Sequence, residues 1–116
     1  MTYVDGFILP LSKGKEDEYR TQAEKFARKA ADQGAIGTIE ALGDNLEHGH
    51  TTDFFRSVQA TDDENVVFSF ILWPSKEVRD TAWERLMADP EMQPGAQPMP
   101  FDGKRMFWGG FKPLLN

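Results

Sequence analysis

One residue that could do chemistry lies near the N-terminus. Asp5 is the single acidic residue of an otherwise apolar run, residues 3–9. A carboxylate in such a run requires a partner or an upward shift of its pKa, because burial disfavours the charged form. As a proton acceptor Asp5 could act as a catalytic base, and Tyr3 is the alternative proton-transfer group. As an ion-pair partner Asp5 would instead fix the register of neighbouring strands.

A second charged group lies in the C-terminal run 99–111. Lys104 and Arg105 precede an aromatic strand that contains Trp108. Two cations beside aromatic rings could anchor the carboxylate or phosphate of a small molecule. They could equally pair with Asp5, because the first and last strands are neighbours in the fold predicted below. The candidate ligand-binding residues are therefore Asp5, Lys104, Arg105 and Trp108.

The two histidines, His48 and His50, lie in an acidic loop. Two imidazoles with nearby carboxylates could ligate a divalent metal, but the chain has no further histidine to complete a site. A solvated loop is the simpler interpretation, so we expect no metal. Haem is disfavoured because both histidines lie outside the predicted helices and strands. The chain also lacks cysteine, a phosphate-binding glycine loop and a Ser/His/acid arrangement, so no cofactor is predicted.

The net charge of -6 is concentrated in residues 34–65, which contain one basic and seven acidic side chains. Nucleic acid is not an expected partner, since phosphate binding needs a concentrated basic surface. This acidic lobe is most simply a solvated surface, and a docking site for another protein is the alternative. The first residues show neither a basic region nor a long apolar segment. We therefore expect a cytoplasmic protein without a signal peptide or membrane span.

The length of 116 residues predicts one domain, residues 1–116. Hydrophobic periodicity and breaker residues predict strands and helices along it. Strands are predicted at 3–9, 36–42, 66–73 and 104–112, and helices at 16–33 and 75–89. Residues 54–60 are predicted to be a strand that forms a hairpin with 66–73; whether 36–42 and 54–60 are one interrupted strand or two stays open. The breaker-rich residues 90–103 predict no regular structure, and 91–100 could form a partial lid.

This order is the split βαβ pattern of an α+β protein, a ferredoxin-like βαββαβ sandwich with an antiparallel sheet. Two helices cover one face of such a sheet, whereas several strands are apolar on both faces. Leaving Phe7, Phe68, Phe70 and Phe107 exposed would cost about 1.5–3 kcal/mol each. We therefore expect an obligate homodimer that packs sheet to sheet into an α+β barrel, with Asp5 facing the barrel.

Four motifs resemble the YbaA-like family of uncharacterised bacterial proteins. They are residues 3–10, residues 62–69, Pro74-Ser75 with Arg79-Asp80, and residues 99–111. That family is similar in fold to the dimeric α+β barrel superfamily, so the resemblance implies two ferredoxin-like subunits joined through their sheets. It implies no established activity. Superfamily relatives include cofactor-independent monooxygenases, haem-degrading enzymes, chlorite dismutase-like proteins and ligand-sensing modules, and fold alone does not choose among them.

Three functions are compatible with these residues. The leading expectation is an uncharacterised small homodimer whose inter-subunit barrel or cleft binds a small organic or anionic molecule. The first alternative is a cofactor-independent monooxygenase-like or isomerase-like enzyme that uses Asp5 or Tyr3. The second is a structural or regulatory module that docks through the acidic lobe. The sequence leaves open whether the protein is an enzyme.

Overall fold

The computed structural model describes residues 2–93 and 99–116. Its elements follow the predicted alternation of strands and helices. They are β1 (Tyr3–Ser12), α1 (Glu16–Asp32), β2 (Gly37–Leu42), α2 (Phe54–Ser57), β3 (Glu64–Trp73), α3 (Lys76–Ala88), a short 3-10 helix (Pro90–Met92) and β4 (Phe107–Phe111). The four strands form one antiparallel sheet in the order β2-β3-β1-β4. This is the ferredoxin-like arrangement, and the predicted α+β fold class is confirmed.

The two long helices begin and end at the signals that the sequence carries. The Ser75 side chain caps α3 by accepting a hydrogen bond from the Val78 N–H, and Pro90 lies just beyond its end. Helix α1 carries acidic residues in its first turn and a lysine in its last, which suits the helix dipole. Gly34 follows it with a φ of 108°, a conformation that favours glycine.

Every strand differs from its predicted bounds, β2 by one residue and β3 by two because it begins at Glu64, and the largest differences are in β1 and β4. Strand β1 continues through Pro10 to Ser12. The lack of an N–H group at Pro10 is tolerated because β4 pairs only with residues 4–8, so no hydrogen bond to β4 is lost at Pro10. Strand β4 begins three residues late, because Asp102 closes a turn in which its carboxylate accepts the Lys104 N–H. The predicted strand at 104–112 was therefore too long.

The prediction of a strand and hairpin at residues 54–60 is wrong. Residues Phe54–Ser57 form the helical turn α2, and Asp53 caps it by accepting the Arg56 N–H at 2.8 Å. The aromatic pair at its start imitates a strand pattern, but the preceding Asp favours a cap. The open question about residues 36–60 is thereby answered, since Gly37–Leu42 is the one strand in that range, all of which the structure describes.

Helices α1 and α3 cover one face of the sheet, which we call the helix-covered face. Ala30 of α1 and Ala82 of α3 pack there against Ile71 and Trp73 of β3. The short helix α2 lies on the other side, where Val58 packs on Ile8 and Val66. It covers only one end of that face.

The remaining sheet surface is apolar, and we call it the open face. Strand pairing places Ser12 and Glu64 on it at one end of β1 and β3, where Glu64 pairs with Arg105. The other side chains on this face form one set, and every member is apolar or glycine. The set is Val4, Gly6, Ile8, Pro10, Gly37, Ile39, Ala41, Val66, Phe68, Phe70, Leu72, Phe107, Gly109 and Phe111. Away from α2 its large side chains remain accessible, Ile39 being 52% exposed.

Candidate functional site

Asp5 lies at the centre of a hydrogen-bond network between β1 and α3. Its side chain is buried, with 2% of the residue exposed. The Arg79 guanidinium donates to it from Nη2 at 2.7 Å and from Nε at 3.0 Å. The indole N–H groups of Trp73 and Trp83 donate to Oδ2 at 2.9 Å and 2.8 Å. Both carboxylate oxygens are therefore occupied, and the charge is neutralised by one arginine.

The predicted environment of Asp5 was wrong in two respects. The residue faces the helices rather than an inter-subunit barrel, because it shares a strand face with Phe7, which packs on Trp83. Its partner is Arg79 rather than Lys104 or Arg105. The ion pair raises the pKa of Arg79 above its ordinary value, since a hydrogen-bonded carboxylate favours the charged guanidinium. This geometry suits a clamp between strand and helix better than a base.

Tyr3 and Gly110 complete the same cluster. The Arg79 guanidinium stacks over the Tyr3 ring at 5.2 Å from its centroid. Gly110 pairs with Asp5 across β1 and β4, and a Cβ there would overlap the Tyr3 hydroxyl and lie 3.0 Å from Arg79 Nη2. A larger residue here would have to displace the Tyr3 ring and the Arg79 guanidinium. Arg79 was missed as a site residue, although its spacing of four from Trp83 on α3 places the two on one helix face.

Arg105 joins the turn before β4 to the start of β3. It donates two hydrogen bonds to Glu64, at 2.8 and 2.7 Å, and further bonds to Asp102 and to the Gln59 carbonyl. These bonds lower the pKa of Glu64 to about 2. The guanidinium is thus engaged within the chain, and Arg105 holds this corner of the fold together.

Lys104 lies at a groove beside this corner, of about 410 Å³. The groove is lined by Ser57, Val58, Gln59, Lys104, Arg105, Met106 and Phe107. Its walls combine an apolar surface with two cationic residues. Within residues 2–93 and 99–116, no carboxylate pairs with the Lys104 ammonium. The structure thus brings Lys104 and Arg105 together but separates both from Asp5.

Trp108 lies at the β4 edge of the sheet. It pairs with Phe7 and therefore belongs to the helix-covered face, although it is 63% exposed. Trp108 therefore does not share the open face, which takes the residues on either side of it in β4. The four candidate ligand-binding residues thus occupy three separate places.

The histidine loop is held by contacts other than metal ligation. The His48 ring stacks on Phe55 at 4.9 Å, and its Nδ1 lies 3.7 Å from Asp53. The His50 carbonyl accepts a hydrogen bond from Arg56. In the described part of the chain, no three His, Asp or Glu side chains are grouped to hold a metal ion. Half of the predicted lid, residues 94–98, lies outside the described residues. The prediction of no regular structure over residues 90–103 is wrong at its start, because Pro90–Met92 form a 3-10 helix that Asp89 caps by accepting the Glu91 N–H.

Three of the seven acidic side chains in the acidic lobe are engaged within the chain. Asp53 pairs with Arg56, and Glu64 pairs with Arg105. Glu40 accepts hydrogen bonds from Tyr19 and Ser69. The exposed remainder is Asp44, Glu47, Asp62 and Asp63. Sequence analysis missed Glu40 because a charged residue on an edge strand is usually a solvated one.

None of the helices in the described ranges is both long enough and apolar enough to span a bilayer.

The sheet order and the two covering helices define an α+β protein of the ferredoxin-like class. A crystal structure of a mutant of SnoaB, a cofactor-independent oxygenase from Streptomyces nogalater, aligns with 98% of this chain and 95% of that one at a TM-score of 0.59 and 14% identity. A putative antibiotic biosynthesis monooxygenase from Bacillus cereus covers 99% and 95%, with a TM-score of 0.52 and 12% identity. These likenesses concern the fold alone.

Sequence relatives identify the family. The model of a family described as "Protein of unknown function (DUF1428)" matches residues 2–103. The "Uncharacterized protein YbaA" of Escherichia coli strain K12 and that of Shigella flexneri are each 44% identical over 116 residues, covering 100% of this chain and 99% of the relative. The chain therefore belongs to the DUF1428 family, and its resemblance to the YbaA-like proteins is confirmed.

Proposed function

We propose that the protein is a homodimer that pairs through the open face and binds a small organic anion in a cleft at the edge of that face. The observation that carries this proposal is the composition of the open face. Charged residues make up 28% of the chain, yet beyond Glu64, which pairs with Arg105 at one end, the open face contains none. Monomers rarely leave so large an apolar surface in water, and such surfaces are typical of interfaces.

A second copy of the chain is the occupant that fits the face. Each chain carries a net charge of -6, so two copies repel at long range, and contact through an apolar surface avoids placing like charges directly against each other. The open face supplies that surface, and sheet-to-sheet packing would bury Ile39, Phe68 and Phe111 from both copies. Burial of a large apolar side chain contributes about 1.5–3 kcal/mol. The fold of the superfamily that the sequence resembles supports the same arrangement.

The groove beside Lys104 is the proposed ligand site. Phe107 belongs both to this groove and to the open face, so a partner chain would add a wall to it. The volume of about 410 Å³ lies in the range of small-molecule sites. Lys104 would contact the carboxylate or phosphate of the ligand, while Val58 and Phe107 would contact its apolar part. Arg105 would position the turn rather than contact the ligand.

Two substitutions in β2 test the dimer. Ile39 lies on the open face and Leu42 on the helix-covered face, and their exposures are 52% and 44%. We expect the wild-type chain to have twice its mass of 13.2 kDa by light scattering, Ile39→Glu to have the mass of one chain, and Leu42→Glu to remain a dimer. A wild-type monomer, or equal behaviour of the two variants, contradicts the proposal.

Thermal unfolding with benzoate and with phenyl phosphate tests the ligand site. A ligand that binds only the folded protein raises its melting temperature. At a ligand concentration of one hundred times Kd, binding adds about 2.7 kcal/mol to the free energy of unfolding. We expect the increase in wild type and in the control Lys112→Gln, and its loss in Lys104→Gln. The stronger probe identifies the preferred anionic group. Equal shifts in Lys104→Gln and wild type would exclude this site even if the dimer is correct.

The second candidate function is a cofactor-independent monooxygenase-like or isomerase-like activity. It is favoured by the likeness in fold to the SnoaB oxygenase over nearly the whole chain. Tyr3 is the better of the two predicted proton-transfer groups, since the Asp5 oxygens already accept four donor groups. Oxygen uptake over a panel of phenols that is lost in Tyr3→Phe would support this function. Uptake that persists in Asp5→Ala, in a variant that still dimerises, would remove Asp5 from the mechanism.

A further inference from the structure

Glu40 differs from the other carboxylates that are withdrawn from water. Four of those pair with a cation: Asp5 with Arg79, Asp53 with Arg56, Glu64 with Arg105 and Asp89 with Lys29. Glu16, which is also partly buried, accepts the Gly14 backbone N–H beside its helix terminus. Glu40 accepts only neutral hydroxyl groups, from Tyr19 to Oε1 at 2.5 Å and from Ser69 to Oε2 at 2.8 Å. Across residues 2–93 and 99–116, no lysine, arginine or histidine pairs with it. Its charge is therefore uncompensated.

The position of Glu40 makes it accessible as well as withdrawn. It lies on β2, an edge strand, and pairs with the buried Ser69 of β3 on the helix-covered face. Its own side chain is only partly buried, in contrast to the 2% exposure of Asp5. Tyr19 reaches it from α1. A small molecule at the β2 edge could thus approach a carboxylate that two hydroxyl groups hold in place.

The electrostatics of this cluster favour proton exchange. Burial raises the pKa of Glu40 above its ordinary value, whereas ion pairs and hydrogen bonds lower the pKa values of Asp53 and Glu64. Burial and the neighbouring charge raise the pKa of Tyr19, so the phenol keeps its proton and remains a donor. A carboxylate with a raised pKa is the stronger base.

We propose that Glu40 is a general base, positioned by Tyr19 and Ser69, for a small neutral organic molecule with a weakly acidic C–H or O–H bond. The carboxylate takes the proton, and the electron pair of the broken bond stays on the substrate as an enolate or phenolate. Return of the proton to another atom of the substrate completes an isomerisation without a further reactant. The inference extends the isomerase-like candidate and does not depend on the groove or on the dimer.

Ring opening of 5-nitrobenzisoxazole, a neutral probe with an acidic C–H bond, tests this proposal by the absorbance of its phenolate product. We expect wild type to exceed free acetate at equal carboxylate concentration, and Glu40→Gln to lose at least about tenfold in rate. The matched control is Glu47→Gln, an exposed acid of the same segment, which should keep the wild-type rate. Circular dichroism melts and light scattering of each variant separate loss of the base from loss of fold or dimer.

The positioning role of Tyr19 has its own readout. The Tyr19 hydroxyl stabilises the charged form of Glu40, so Tyr19→Phe should move the midpoint of the pH–rate profile upward. Carbon-13 titration of the glutamate carboxyls should show the same upward shift for Glu40 and none for Glu47. A wild-type rate in Glu40→Gln, or a Glu40 carboxyl that titrates with the exposed glutamates, overturns the proposal, whatever the assembly state.

Discussion

Replacing Asp5 by asparagine should be among the most destabilising isosteric changes in this chain. Oδ1 and Oδ2 together accept hydrogen bonds from Arg79, Trp73 and Trp83, all of them obligatory donors. An Asn side chain has one acceptor oxygen, so its NH₂ group must face a donor in either orientation. Hydrogen bonds to charged groups contribute about 1.5–3 kcal/mol each to the free energy of unfolding. The substitution removes at least two of those that Asp5 accepts, and the Arg79 guanidinium remains shielded from water. The sum agrees with the about 3–5 kcal/mol typical of breaking a buried ion pair.

Urea unfolding followed by far-UV circular dichroism measures this loss. An expected loss of about 4 kcal/mol is a large part of the 5–15 kcal/mol that usually stabilises a domain. The matched control is Asp80→Asn, since Asp80 contacts the same guanidinium at 3.0 Å but is 51% exposed, and should cost less than about 1 kcal/mol. A loss below about 1 kcal/mol for Asp5→Asn, with an unchanged dependence on urea, would refute the assignment of Asp5 as a structural clamp.

Two further substitutions test other contacts. Gly110→Ala should destabilise the protein by about 1–3 kcal/mol in the same assay, because the added Cβ meets Tyr3 and the neighbouring guanidinium. Glu64→Gln should cost about 2 kcal/mol at neutral pH. Because Arg105 lowers the Glu64 pKa from 4.5 to about 2, the stabilisation is present above pH 4.5 and disappears as the pH falls towards 2. A cost that is the same at both ends of that range would contradict the ion pair.

The alternation of apolar residues was enough to predict the sheet but not which of its faces the helices cover. The sequence shows that Asp5 and Phe7 share a face, and it shows that β3 is apolar on both faces. The alternation of residues along a strand defines two faces, but it does not indicate which of them packs against the helices. The wrong choice moved Asp5 into the barrel and paired it with Arg105. Arg79 lies 74 residues away, and only the packing of α3 brings it to Asp5.

The error at residues 54–60 has a different origin. The apolar residues there resemble a strand because some of them are buried against the sheet. Val58, for example, packs on Ile8 and Val66. It packs as part of a covering loop rather than as a strand, and the capping Asp53 was the local signal for that. Short apolar runs do not distinguish these two kinds of burial.

The two faces of the sheet differ in the chemistry of their side chains. The hydrogen-bonded side chains of Asp5, Glu40 and Ser69 lie on the helix-covered face, whereas the open face is apolar apart from Ser12 and Glu64 at one end. Ile39 and Glu40 are adjacent in β2 yet belong to opposite faces. A surface without polar groups can bury itself against another copy, but it has nothing with which to move a proton. The proposed assembly and the proposed proton transfer therefore use different faces of the sheet, and each can be tested without altering the residues of the other.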